Sequence, residues 1–179
     1  MDLISGGVCA AKGFKANGIH CGIRKNRTKR DLALVVSEKE ASAAAVYTTN
    51  LVKGAPLKVT KNHISNGKAR AVICNSGNAN TCNANGVEIA ERMSDILAET
   101  LGISASDVVV ASTGVIGQPL DITPIKNGIP ELFAGLSEKG NEFAAEAIMT
   151  TDTVKKEVAV EFTLSGKNAV WAEWPRAAA

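Results

Sequence analysis

The chain has 179 residues and is poor in histidine, in net charge and in long apolar runs. Its net charge is only +2 and its basic residues are scattered apart from one short run, so nothing supports a nucleic-acid-binding surface. No apolar stretch reaches the roughly 18 residues needed to cross a bilayer, and the first residues lack the basic-then-apolar layout of a signal peptide. Two histidines are too few for a typical metal cluster. The composition predicts one cytosolic domain, or one large piece of a domain, without membrane, nucleic acid or metal.

The cysteines show no metal-binding or redox spacing. Four are present, and none belongs to a CxxC pair: Cys9, Cys21, Cys74 and Cys82. Without a secretory signal they are expected to be reduced and mostly buried thiols. Two pairings stay open, His20 beside Cys21 as metal ligands and Cys74 with His63 as nucleophile and base. An ordinary surface or packed histidine and a buried thiol are the simpler interpretations.

The pattern of apolar residues predicts an α/β fold with mixed strand pairing, in which sheets are layered with helices. Strands are expected over 32–36, 43–48, 55–59, 70–74, 107–111 and 156–164. Helices are expected from 86 to about 101, from about 121 onward with a proline in the first turn, and over about 138–149. Gly102 is a natural C-cap for the first of these helices.

The same periodicities predict which side chains face the core. For the helices these are Val87, Ala90, Met93, Ile96, Leu97, Leu101, Phe143, Ala147 and Ile148. For the last predicted strand, strict alternation places Val158, Val160, Phe162 and Leu164 on one face.

Three polar clusters lie where elements end, at Asn75–Asn80, Ser112–Gly117 and Thr150–Thr153. The Ser-Thr-Gly loop after a buried strand is suited to aim backbone N–H groups and a hydroxyl at a developing oxyanion. It is equally suited to be a tight turn that caps only its own backbone. The basic run Arg24–Arg30 is expected to be a solvated loop. No GxSxG, Walker A or dinucleotide motif is present, so the residues suggest oxyanion-type loops without an attacking group.

Four stretches, in the same order along the chain, resemble the ornithine acetyltransferase (glutamate N-acetyltransferase) family. They are Lys12–Ala16 (Lys-Gly-Phe-Lys-Ala), Asn75–Asn80 (Asn-Ser-Gly-Asn-Ala-Asn), Ala111–Gly117 (Ala-Ser-Thr-Gly-Val-Ile-Gly) and Ala147–Thr153 (Ala-Ile-Met-Thr-Thr-Asp-Thr). Ser-Thr-Gly alone is a weak signal, whereas four matches within residues 7–167 are specific.

The resemblance implies an acyl-transfer chemistry that supplies the missing attacking group. Family members are made as one precursor that cuts itself before an internal threonine, and this threonine becomes the first residue of the β chain and the nucleophile. It takes an acetyl group from N-acetylornithine and passes it to glutamate through an acyl-enzyme; some members also accept acetyl-CoA. A threonine whose own α-amino group acts as base is an established way to activate a weak hydroxyl. By resemblance, this chain is the α-chain portion of such an enzyme of arginine biosynthesis, cytoplasmic and without a cofactor.

The resemblance also implies site residues and partners. Thr113, by its hydroxyl, and Gly114, by its backbone N–H, match the family's oxyanion-hole pair. One threonine of the Thr-Thr-Asp-Thr segment contacts substrate in the family; Thr153 is the best match by spacing, and Thr150 and Thr151 are the alternatives. The expected fold is of the ornithine-acetyltransferase type and is incomplete without the β chain. The complete assembly is expected to be a heterotetramer of two α and two β chains.

The chain departs from the family pattern after residue 167, and both of its tryptophans lie in the departing stretch. The family continues there with a glycine-rich loop that carries a lysine, and then with the cleavage site. Tryptophan has the single codon TGG, so part of the nucleotide sequence follows from the protein sequence. In a shifted frame, the bases spanning Trp171 and Ala172 read GGC (glycine), and those spanning Trp174 and Pro175 read GCC (alanine).

The remaining codons of the tail permit the shifted reading Gly-Gly-Met-Ala-Lys-Gly-Ser-Gly-Met, which matches the family's lysine loop. We therefore predict that residues 1–167 are the α-chain portion and that 168–179 are a frameshifted reading of that loop. A divergent tail is the alternative.

Without the nucleophilic threonine and the loop lysine, the polypeptide alone is expected to have no acetyltransferase activity. The second hypothesis is an inactive fragment or scaffold that needs a β chain and supplies Thr113, Gly114 and Thr153.

Overall fold

The computed structural model describes residues 1–26 and 28–174. Within this part of the chain the strands are β1 (Asp2–Ile4), β2 (Phe14–Ile19), β3 (Leu32–Ser42), β4 (Lys68–Asn75), β5 (Val108–Ser112), β6 (Val158–Leu164) and β7 (Lys167–Glu173). The helices are α1 (Ala55–His63), α2 (Gly86–Leu101), α3 (Ile122–Ala134) and α4 (Asn141–Ile148). None of the helices in these two ranges combines the length and the hydropathy needed to span a bilayer.

The strands form two sheets. The larger has the order β2-β3-β4-β5, in which the first three strands are antiparallel and β4 and β5 run parallel. The smaller sheet has the order β1-β6-β7 and is antiparallel. The predicted α/β class with mixed pairing is confirmed.

Helices cover both faces of the larger sheet, because its central strands alternate between two apolar clusters. Leu34 and Ile73 pack with residues of α1, α2 and α3 on one side. Val35 and Cys74 pack with α4 on the other. The sheet is therefore the middle layer, and the carboxyl ends of β4 and β5 emerge together from it.

Two of the predicted strands are wrong. Residues 43–48 form no strand, and Val46 is fully exposed, because β3 already ends at Ser42. Residues 55–59 are instead the first part of α1, which starts with Pro56 in its first turn. A short apolar run has no period by which a strand is distinguished from a helix, and proline is well tolerated in a first helical turn.

Three predicted core faces also need correction. Val87 is at the exposed margin of α2, and Phe143 of α4 is 46% exposed. The backbone of α4 comes so close to β2 that a Cβ on Gly18 would lie 2.0 Å from the Phe143 carbonyl oxygen, which leaves room only for small residues between them. In β6 the buried residue is Ala159, on the face opposite the predicted one, and Leu164 is exposed.

The C-terminal stretch is described up to Trp174. β7 pairs with β6 from Lys167 onward, with Trp171 opposite Val160, so the strand crosses the boundary predicted between 167 and 168. Trp174 packs against the cluster beneath α4. Residues 175–179 of the predicted aberrant tail lie outside the described part of the chain.

Candidate functional site

Two of the predicted polar loops meet at one edge of the larger sheet. They follow β4 and β5, which are parallel neighbours, so that Asn75 and Ser112 are register partners. The Thr113 N–H donates to the Asn75 carbonyl at 2.9 Å, and the Ser112 hydroxyl donates to the Asn75 side-chain oxygen at 2.6 Å. The two loops thus form one hydrogen-bonded unit.

Buried amide side chains fix the Asn75–Asn80 loop. Asn75 Nδ2 donates to the Asn78 carbonyl at 2.9 Å, and Asn78 Oδ1 accepts from the Asn80 N–H at 2.8 Å. Asn78 Nδ2 reaches across to the carbonyl of Gln118 at 3.0 Å. Because these side chains satisfy backbone groups that have no sheet partner, the loop is buried without a large cost in unpaired hydrogen bonds.

Gly114 lies where the two loops touch. Its φ is +131°, and a Cβ there would lie 2.4 Å from the carbonyl carbon of Gly77 and 2.6 Å from the nitrogen of Asn78. Only glycine fits this conformation and this approach. Thr113 beside it is 3% exposed, whereas Gly114 is half-buried and reaches the surface.

A cavity of about 640 Å³ opens next to Gly114. Its lining residues are Ile23, Arg24, Lys25, Asn26, Gly77, Gly114, Val115, Gln118, Thr150 and Thr151. The structure therefore brings Gly114 together with Thr150 and Thr151. The lining includes neither Thr113, which is buried, nor Thr153, which is exposed.

A buried carboxylate holds the segment that carries the cavity residues Ile23 and Arg24. Asp31 is fully buried at the start of β3, and its side chain accepts from the backbone N–H of Cys21 at 2.6 Å, Gly22 at 3.2 Å and Arg24 at 2.9 Å. Its carbonyl accepts from the Ser76 N–H at 2.9 Å. The carboxylate thus folds the chain before β3 into a tight turn against the Asn75–Asn80 loop.

That turn places Arg24 in the lining of the cavity. The prediction of a solvated loop over Arg24–Arg30 is wrong at this residue, since its side chain is half-buried and donates from Nη2 to the Met149 carbonyl. Burial lowers the pKa of the Arg24 guanidinium, and the Asp31 charge opposes that shift. Lys25 and Asn26, further along the run, are exposed.

The Thr150–Thr153 segment after α4 is held in place by two contacts. Arg24 binds the carbonyl just before Thr150, and Ser76 Oγ donates to the Ala147 carbonyl. Lys156 pairs with Asp152 at 2.6 Å and lowers the pKa of that carboxyl.

The thiols and histidines do not form the pairs that the sequence left open. Cys74 is buried in the cluster under α4, and burial raises its pKa to about 12. His63 ends α1 on the other side of the sheet, where Nδ1 is 2.9 Å from the Val108 carbonyl. Nδ1 of His20 lies 2.9 Å from the Lys29 carbonyl and 3.1 Å from the Asp31 carboxylate. Across residues 1–26 and 28–174, no three potential ligands group to hold a metal ion.

Sequence reasoning missed Arg24, Ile23 and Gln118 as cavity residues. One signal was present, since Asp31 is a lone acid between a basic run and the apolar run 32–36. A carboxylate buried at the start of a strand needs hydrogen-bond donors. The nearest donors in the sequence are the backbone N–H groups of the preceding glycine-containing segment.

Comparison with known proteins completes the description. A family model described as the ArgJ family matches residues 15–172. The arginine biosynthesis bifunctional protein ArgJ of Caldanaerobacter subterraneus subsp. tengcongensis is 46% identical over 169 residues, which are 94% of this chain and 41% of that protein. The glutamate N-acetyltransferase of Methanocaldococcus jannaschii is 45% identical over 170 residues, 93% of this chain and 40% of the relative. The chain thus spans about two fifths of the length of these curated relatives.

Two solved structures share the fold. The arginine biosynthesis bifunctional protein argJ of Bacillus halodurans superposes with a TM-score of 0.86 at 42% identity, covering 95% of this chain and 91% of that one. Ornithine acetyltransferase of Mycobacterium tuberculosis, solved in complex with ornithine, gives a TM-score of 0.83 at 38% identity over 88% and 86% of the two chains.

Proposed function

The chain belongs to the ArgJ family, and from this premise we propose that it is the α-chain portion of an enzyme that transfers an acetyl group from N-acetylornithine to glutamate. Its relatives carry names of arginine biosynthesis and of glutamate N-acetyltransferase. The observation that carries the proposal is the position of Gly114, which lines one cavity together with Thr150 and Thr151.

The chemical role of the Ser-Thr-Gly loop follows from the charge that acyl transfer develops. Attack on an acetyl carbonyl puts negative charge on its oxygen, and donors fixed in advance stabilise that charge. Gly114 reaches the cavity itself, so its backbone N–H is the main donor in this proposal and the Thr113 hydroxyl is the second. The contact with Gly77 holds the loop rigid, and one such donor contributes about 10²–10³ in rate.

Substrate contact is assigned within the same cavity. Thr150 and Thr151 line it, whereas Thr153 is exposed outside the lining. In the proposal, Thr150 and Thr151 therefore take the role for which spacing alone had favoured Thr153.

The attacking group comes from a partner. Cys74, the one candidate nucleophile weighed from the sequence, is buried away from the cavity. We assign the nucleophile to the first threonine of a β chain, and the complete enzyme to a heterotetramer of two α and two β chains. The proposed location is the cytoplasm, where the unpaired thiols described in the structure would stay reduced. No step in the proposal uses a cofactor.

The stretch from residue 168 onward is proposed to be a frameshifted reading of the family's lysine loop. The forced GGC and GCC triplets across the two tryptophans support it. Sequencing the coding DNA tests it, because the shifted frame must encode Gly-Gly-Met-Ala-Lys-Gly-Ser-Gly-Met. Any other shifted reading would leave the divergent tail as the explanation.

Complementation tests the activity. The chain is co-expressed with a separate β chain that begins at its threonine, and acetyl transfer from N-acetylornithine to glutamate is measured on the purified pair and on each part. We expect turnover by the pair and none by this chain alone. Turnover by the isolated chain would contradict the assignment of the nucleophile, and failure of the two parts to associate would favour an inert fragment.

A pair of matched variants tests the substrate contact. Thr150→Val is expected to raise the KM of the complemented enzyme, whereas Thr153→Val is expected to leave it unchanged. The reverse pattern would return the role to Thr153. Thermal unfolding of both variants shows whether the loss of the Thr150 hydroxyl also affects folding.

A further inference from the structure

The cavity beside Gly114 is positively charged. Two of its lining side chains, Arg24 and Lys25, are cationic, and none of the lining residues is Asp or Glu. A site with this charge balance favours an anionic group on its ligand.

Several contacts hold Arg24 in place, and none of them is an ion pair with a carboxylate. Asp31 binds the backbone N–H of Arg24 at 2.9 Å, and the Met149 carbonyl accepts from Nη2. The aliphatic part of the side chain lies over Gly77, where a Cβ would come within 2.8 Å of the Arg24 Cγ. The guanidinium is thereby oriented before a ligand arrives, which reduces the entropy lost on binding.

The Nε–H of Arg24 is buried and has no hydrogen-bond partner. Within residues 1–26 and 28–174, no carboxylate lies within ion-pair distance of this side chain, and Asp31, whose charge acts on it from further away, is already bound to three backbone N–H groups. A buried donor without an acceptor is costly, and a charged one more so. The arrangement therefore favours an acceptor from outside the chain.

We infer that the guanidinium of Arg24, which lines the cavity, binds the carboxylate of the amino-acid substrate. This inference rests on the proposed function and names the part of the substrate that the cavity recognises. N-acetylornithine and glutamate both carry an α-carboxylate, and in N-acetylornithine it is attached to the carbon that bears the acetylated nitrogen. A cation in the same cavity as Gly114 suits both groups, and the planar guanidinium matches a carboxylate better than an ammonium does.

Kinetics of the complemented enzyme provide the first test. Arg24→Gln is expected to raise the KM for N-acetylornithine and for glutamate about tenfold or more, with kcat nearly unchanged, as for a lost charged hydrogen bond. Arg24→Lys should lie in between. Arg70→Gln is the matched control, because Arg70 also has a buried unpartnered Nε and donates from Nη2 to carbonyls, but lies outside the cavity. An unchanged KM in Arg24→Gln, or an equal rise in Arg70→Gln, would overturn the inference.

A binding measurement keeps the inference testable if the complemented enzyme shows no acetyl transfer and the proposed function fails. The purified chain, labelled with 15N-arginine, is titrated with N-acetylornithine and with its α-carboxamide, and the Nε–H resonances are followed by NMR. We expect the Arg24 resonance to move with the carboxylate and not with the carboxamide, while the Arg70 resonance stays in place. An Arg24 resonance that responds to neither compound, or to both alike, would show that this side chain only supports the Met149 carbonyl.

Discussion

Replacing Gly114 by alanine probes the contact on which the proposed oxyanion loop depends. The new Cβ would lie 2.4 Å from the carbonyl carbon of Gly77, whereas ordinary contacts are 3.4–4 Å. The Gly77 carbon is a backbone atom and the position of a Cβ is set by its own backbone, so neither atom can rotate away. Gly117, in the same loop, also has a positive φ (+75°), but a Cβ there would meet nothing within 4 Å. Both variants place an alanine at positive φ, but the φ of Gly114 lies further from the left-handed α region, and only Gly114 adds a clash with the backbone of Gly77.

The expected losses of stability differ between the two variants. Left-handed strain alone costs about 1–2 kcal/mol, which is the expectation for Gly117→Ala. Gly114→Ala adds about 1–3 kcal/mol of overpacking, for a total of about 2–5 kcal/mol. At about 2–4 °C per kcal/mol for a chain of this size, a mid-range loss of about 3.5 kcal/mol lowers the Tm by roughly 7–14 °C.

The assay is thermal and urea unfolding of the three proteins followed by circular dichroism, with acetyl transfer measured on the complemented enzymes. Gly114→Ala should also lose about 10²–10³ in kcat, since moving the loop displaces the N–H donor. Equal destabilisation by the two alanines would refute the reasoning about the Gly77 contact. Full activity in Gly114→Ala would refute the role of the loop.

Three further predictions concern other parts of the fold. Asp31→Asn should cost about 2–4 kcal/mol in urea unfolding, because the carboxylate serves three backbone amides and an amide side chain opposes one of them with its own N–H groups. Iodoacetamide should modify the exposed Cys82 in the native chain and Cys74 only after unfolding, as mapped by mass spectrometry, because burial raises the Cys74 pKa to about 12. Asp121→Ala should lower the Tm more at neutral pH than in acid, because Asp121 caps α3 by accepting from the Thr123 N–H at 2.8 Å, which lowers its pKa, and a protonated carboxyl keeps only part of that cap.

Controls follow from the same contacts. Asp95→Asn, at an exposed position of α2, should leave the free energy of unfolding unchanged. An equal loss of stability in Asp95→Asn and Asp31→Asn would show that the hydrogen bonds of Asp31 are not the cause. Native modification of Cys74 would contradict its burial. The sign for Asp121 is fixed by its depressed pKa: its contribution is present above the unfolded-state pKa and is lost as the pH falls through the folded-state value. A Tm difference of equal size at neutral and acid pH would point to a cause other than the charge.

Much of the fold was predictable because local pattern and tertiary role agree. The runs at 32–36, 70–74 and 107–111 are bounded by polar residues and lie in β3, β4 and β5, and the helix over 86–101 has both its period and its Gly102 cap. The segments 43–48 and 55–59 were not predictable, because too few residues carry a period. The exposure of Phe143 depends on the close approach of α4 to Gly18, which no local pattern encodes.

Part of the candidate site was likewise predictable from the sequence, and part was not. Loops that follow adjacent parallel strands must meet, so the polar clusters after β4 and β5 were recognisable as a potential site. Arg24 was not, because its place in the cavity depends on the burial of Asp31 seven positions later, and within the sequence it resembles any other member of a solvated basic run. Thr150 and Thr153 are equivalent as residue types, and only the cavity wall distinguishes them.

The central claim is that this chain supplies the oxyanion loop and the substrate contacts while a partner chain supplies the nucleophile. Intact-mass spectrometry of the complemented enzyme, quenched in acid during turnover of N-acetylornithine without glutamate, tests it most directly. We expect the mass of one acetyl group on the β chain, none on this chain, and much less of the adduct when this chain carries Gly114→Ala. Acetyl found on this chain, or acetylation of the β chain that Gly114→Ala leaves undiminished, would contradict it.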